Sequence, residues 1–77
     1  SELTESAKDE LQAFTMAAAT QYSKPELITA LKKILKRYVA LKASSFQISI
    51  NNIITDECKT NCSTELSDDE VAELWNG

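Results

Sequence analysis

SSFQISINNIITDEC, residues 44–58, is the stretch on which the fold turns. Phe46, Ile48 and Ile50 alternate, which is the period of a half-buried strand. Phe46, Ile50, Ile53 and Ile54 also fit one face of a helix, and Ser44 with Gln47 has the spacing of a capping box. As a strand the segment has only its own second half, NNIIT (51–55), to pair with. The resulting β-hairpin over 46–54 is weak alone. The helix, over about 45–58, is therefore favoured and the hairpin is kept as the alternative. Its cost is that Ile48 points off the core face.

Composition argues the same way. The 77 residues include one Gly and one Pro, too few for a turn-rich β fold. Ala, Leu, Lys and Glu, all helix formers, are plentiful. A hydrophobic share of 43% with 26% charged residues describes a globular chain rather than a disordered one. The length suits one domain, 1–77, with a thin core.

Upstream, YSKPEL (22–27) is the clearest punctuation. Ser23 caps a helix, Glu26 completes the box, Pro25 occupies the first turn and Tyr22 can staple to Leu27. Helix two, about 24–42, carries Leu27, Ile28, Leu31, Ile34, Leu35, Tyr38, Val39 and Leu41 on one arc and Lys32, Lys33, Lys36 and Arg37 opposite. It is expected to be central. Helix one, about 3–22, has a stripe of Leu3, Ala7, Leu11, Phe14, Ala18 and Tyr22. Ala13, Met16 and Ala17 form a second, weakly apolar strip pointing elsewhere. Downstream, ELSDDEVAELW (65–75) starts a last helix, about 67–76, with Ser67 as cap and Glu70 closing the box. The expectation is an all-α fold, a compact bundle of about four helices. Its core is expected to hold Leu11, Phe14, Leu27, Leu31, Leu35, Tyr38, Phe46, Ile50, Ile53, Val71 and Trp75.

Both cysteines lie in TDECKTNCSTE, residues 55–65. On an unbroken helix, positions four apart hold their Cβ atoms ~5–6 Å apart, whereas a disulfide wants ~3.5–4.5 Å. If the chain turns at KTN (59–61), Cys58 and Cys62 can bond; if the helix continues, they are separate thiols. With no histidine in the chain, a single-chain zinc site lacks ligands. Three intervening residues do not make a thioredoxin-like motif. No metal or cofactor is expected.

The absence of histidine also removes the usual general base, and the lone glycine, Gly77, cannot build a phosphate-cradling loop. A non-enzymatic role is expected. Charge is segregated. The net value is −4, yet five of the eight Lys and Arg residues fall within 32–42, with acidic residues crowding both ends. Segregated charge sets partner choice. The leading expectation is a small acidic protein-binding module, a regulator, inhibitor or immunity-type protein. It would dock through Lys32, Lys33, Lys36 and Arg37, with Ala13, Met16 and Ala17 as a second contact strip. A solvated outer face is the simpler account of the lysines. The runner-up is a regulator that binds nucleic acid or an anionic membrane through the same lysines. Acidic flanks and the lack of interleaved aromatics argue against it. A third reading is a secreted, disulfide-fixed helical factor. The partner is another protein or a second copy of the chain. No apolar run reaches the ~18–20 residues of a membrane span. No signal peptide is recognisable, and the start at Ser1 allows that a leader was removed. The cytoplasm is favoured, unless Cys58 and Cys62 are bonded.

Overall fold

Two reciprocal capping boxes set the helix starts. Ser23 Oγ accepts from the Glu26 N–H at 3.3 Å, and Glu26 Oε1 accepts from the Ser23 N–H at 2.9 Å. Ser67 and Glu70 repeat the pair at 3.1 and 2.8 Å. The computed structural model describes residues 1–77 and is all-helical: α1 (Glu2–Ala18), α2 (Lys24–Lys36), α3 (Gln47–Cys62) and α4 (Asp68–Glu73). Single 3₁₀ turns follow α2 (Val39–Leu41) and α4 (Leu74–Asn76).

The β-hairpin alternative for 46–54 is overturned, because α3 runs through it. Ile50 and Ile54, one helical turn apart, are fully buried while Ile48 is 71% exposed. That is the burial pattern of a helix and not of alternation. The Ser44–Gln47 box does not form. Gln47 Oε1 instead accepts from the Ala43 N–H at 2.6 Å, and Ser44 Oγ accepts from the Phe46 N–H at 3.2 Å. These bonds hold Ala43 at φ 61° and turn Phe46 outward to 40% exposure, so Phe46 leaves the expected core.

Helices α1 and α2 both stop short of expectation. α1 ends at Ala18 because Ala19 swings to φ 47°, ψ −129°, and Tyr22 then meets Phe14 edge to face with ring centroids 5.6 Å apart. α2 ends at Lys36. From there the chain tightens to three-residue bonding, Leu41 N–H to Tyr38 O at 2.8 Å and Lys42 N–H to Val39 O at 3.0 Å. Side chains three apart then eclipse, so Tyr38 and Leu41 are both buried while Val39 is 62% exposed.

The most extensive helix pair is α1 with α3, rather than either with α2. Each contributes a stripe at spacings of three or four: Ala7, Leu11, Thr15 and Ala18 from α1; Ile50, Ile54, Cys58 and Cys62 from α3. The C-terminal turns of both helices meet where Asn61 Nδ2 donates to Thr15 Oγ1 at 3.1 Å and Cys62 Sγ donates to Thr15 O at 3.6 Å. α2 buries Leu27, Leu31, Ile34 and Leu35, and packs chiefly on the last 3₁₀ turn and also on α1. α4 and the last turn close the core with Val71, Leu74 and Trp75. Each fully buried aliphatic side chain contributes about 1.5–3 kcal/mol. Leu11, Leu27, Leu31, Ile50, Ile54 and Leu74 are all in that state.

Candidate partner-binding face

The outer side of α2 carries the basic residues opposite its buried leucines. Lys32, Lys33 and Lys36 line a shallow cleft of about 300 Å³ together with Thr29 and Gly77. Gly77 lies so close to the Lys32 stem that a Cβ there would sit 2.9 Å from two of its carbons. The three ion pairs in the fold involve Lys24, Arg37 and Lys59, so these three lysines have no carboxylate in pairing range.

Arg37 departs from the expected set. Its guanidinium pairs with one oxygen of Glu10, and the other oxygen of Glu10 accepts from Tyr38 Oη at 2.8 Å. Arg37 thereby fastens the end of α2 to α1. Lys24 is also committed, pairing with Glu70 at 3.0 Å and joining the starts of α2 and α4. Beside the lysine cleft runs a groove of about 370 Å³ lined by Ile28, Lys32, Asp69, Glu70 and Glu73. Lys32 thus lines both the lysine cleft and an acidic edge. Asp69 and Glu70 belong to the first turn of α4, where the helix dipole favours them, whereas Glu73 is its last residue.

The second strip is exposed as expected, with Met16 at 69% and Ala13 and Ala17 open beside it. It lies on α1, away from the buried stripe, and lines none of the surface grooves. The structure does not bring it into the lysine cleft.

The cysteines do not form the disulfide considered from sequence. Residues 59–61 are helical, so Cys58 and Cys62 stand one turn apart as free, buried thiols. Burial, then Cys62 and Glu57, push the Cys58 thiol up to about 12. Burial and then Glu57 raise Cys62. Neither thiol is primed as a nucleophile. Around them is a polar node that sequence reasoning missed. Thr15, fully buried, donates to Leu11 O at 3.0 Å, and Asn61 Nδ2 bridges Thr15 to Glu57 Oε2, the latter at 2.6 Å. Only the helical phase of Thr15 on the α1 stripe signals it in the sequence.

No group of three or more Cys, Asp or Glu side chains is gathered as a metal site. No helix is long and apolar enough to cross a membrane. No protein-family model, curated protein or solved structure matches the chain.

Proposed function

We propose that this chain is a small non-enzymatic binding module that docks on an acidic surface of another protein through Lys32, Lys33 and Lys36. One observation carries the reading: three neighbouring lysines share a cleft with no carboxylate in pairing range, in a chain where acids outnumber bases by 12 to 8. Unneutralised charge of one sign on one face steers association and selects partners of opposite sign. The protonated, buried thiols and the missing histidine favour binding over catalysis.

The test is charge reversal at the two most open positions. The K33E/K36E double variant should melt as the parent does and lose the proteins that co-purify with the parent from its native cell, as read by mass spectrometry. An unchanged set of co-purifying proteins removes the lysines from the reading. Tight binding of duplex DNA with a steep salt dependence reassigns them to nucleic acid.

A further inference from the structure

Thr29, Lys32, Lys33 and Lys36 stand at i, i+3, i+4 and i+7 on α2, the spacing of one helix face. All four line the cleft of about 300 Å³ that Gly77 closes. Every side chain on that wall can donate a hydrogen bond, three ammoniums and one hydroxyl. No carboxylate pairs with the ammoniums, the one at Gly77 included. No apolar side chain lines the cleft. Like charges four apart, as in Lys32 and Lys36, repel on a helix, and no ion pair in the fold relieves them. Nor do the last carbonyls of α2 call on the lysines: Ile34 O and Leu35 O accept from the Arg37 and Tyr38 N–H groups at 3.0 and 2.9 Å.

We infer, resting on the docking role proposed above, that the cleft takes a phosphomonoester carried by a phosphorylated serine or threonine of the partner protein. Such a group concentrates a charge of roughly −1.5 to −2 and three acceptor oxygens at one point. Carboxylates are matched best by the flat, two-pronged arginine fork. The chain's single arginine, Arg37, is committed to Glu10 and does not line the cleft. What remains is three compact cations on one wall, suited to a single dense anion. The wall also decides the source of the phosphate. A nucleotide needs an aromatic or apolar platform for its base. A lipid headgroup needs apolar side chains beside it to enter the bilayer. The cleft has neither, and a phosphorylated side chain needs neither. Its volume stands at the low end of the ~300–1,000 Å³ of ligand clefts, which suits one compact group.

The probe is a short synthetic peptide of neutral residues around one phosphoserine. It is titrated into the isotope-labelled full chain and followed by amide chemical shifts. The control peptide replaces the phosphoserine with two adjacent glutamates, which match its charge. The phosphopeptide should shift the Thr29, Lys32, Lys33, Lys36 and Gly77 amides and bind about tenfold more tightly than the glutamate peptide. K33Q/K36Q, which removes two cations at exposed positions, should keep the parental melting temperature and bind about tenfold more weakly. K42E changes the net charge by the same amount at an exposed residue that does not line the cleft, and should lose about twofold at most. Equal affinity for the two peptides overturns the phosphate assignment and leaves acidic docking standing. A loss in K42E as large as in K33Q/K36Q, or no loss in K33Q/K36Q, places binding outside the cleft and overturns both. Inorganic phosphate that binds alone as tightly as the peptide overturns the partner protein as its source. No binding of the phosphopeptide overturns the assignment, while the co-purification test above still decides the docking role.

Discussion

Trp75 Nε1 donates to Asn51 Oδ1 at 2.7 Å, tying the last 3₁₀ turn to the N-terminal part of α3. The indole is 7% exposed, so its N–H has little access to water once that acceptor is removed. Asn51→Leu should cost about 1–3 kcal/mol, the penalty for an unpaired buried donor. Asn51→Asp, which retains an acceptor, should cost less. Urea denaturation followed by the fluorescence of this sole tryptophan measures both, and equal losses would show that the hydrogen bond is not what holds the turn.

The two capping boxes predict an acid limb in stability. The Ser23 N–H holds the Glu26 carboxyl below its usual range. The Ser67 N–H, with Lys24 beside it, does the same for Glu70. Groups lowered on folding stabilise the fold above their ordinary pKa, here 4.5, and that contribution disappears as pH falls through the lowered value. Glu26→Gln and Glu70→Gln keep an acceptor but do not titrate, so each variant should lose less stability than the parent between pH 5 and pH 3 in urea midpoints. Separately, Ser67→Ala should cost about 1 kcal/mol and loosen α4 first, because six residues are too few to sustain a helix unaided.

The raised thiol predicts an alkaline limb of opposite sign. Cys58 ionises at its ordinary value of 9.0 when unfolded and near 12 when folded. Its contribution is complete below pH 9 and is lost as pH climbs toward 12. Cys58→Ala should lower stability at pH 7.5 through the lost packing and show a shallower decline between pH 8.5 and 10.5. Parallel slopes for variant and parent would contradict the shift.

Three junction residues that are not glycine have positive φ: Ala19 at 47°, Ala43 at 61° and Ser63 at 50°. Left-handed backbone costs an L residue about 1–2 kcal/mol, partly offset on substitution by the greater unfolded-state freedom of glycine. Ala19→Gly should stabilise most, since its ψ of −129° lies outside the ordinary left-handed well. Ser63→Gly, at ψ 33°, should gain least. In a domain of this size each kcal/mol moves the melting temperature by about 4–8 °C, so calorimetry resolves the order.

Those same junctions explain which parts of the fold could be read in advance. The starts of α2 and α4 were legible because Ser23 with Glu26, and Ser67 with Glu70, are local pairs in which the sequence spacing is the geometry. The end of α1 was not, because Ala19 reverses the chain without the glycine that normally signals it, and neither was the end of α2, where the chain tightens toward a 3₁₀ turn with no Gly or Pro to mark it. Val39 has the phase of a core residue on a regular helix and is expelled only by the tighter turn. At the candidate site, the common face of Lys32, Lys33 and Lys36 follows from their spacing. The withdrawal of Arg37 does not, since its partner Glu10 is brought in by the packing of α2 on α1. The fate of the cysteines hung on whether residues 59–61 turn, and they continue the helix.

The pairing of α1 with α3 orders events during synthesis. Thr15 meets Asn61 and Cys62, 46 and 47 residues further along the chain, so α1 is made well before its main partner. On the ribosome, α1 and α2 emerge with their leucines covered only by each other, and non-local closure of this kind slows folding. A nascent chain halted before residue 62 therefore presents the Ala7–Leu11–Ala18 stripe to whatever chaperone waits at the exit.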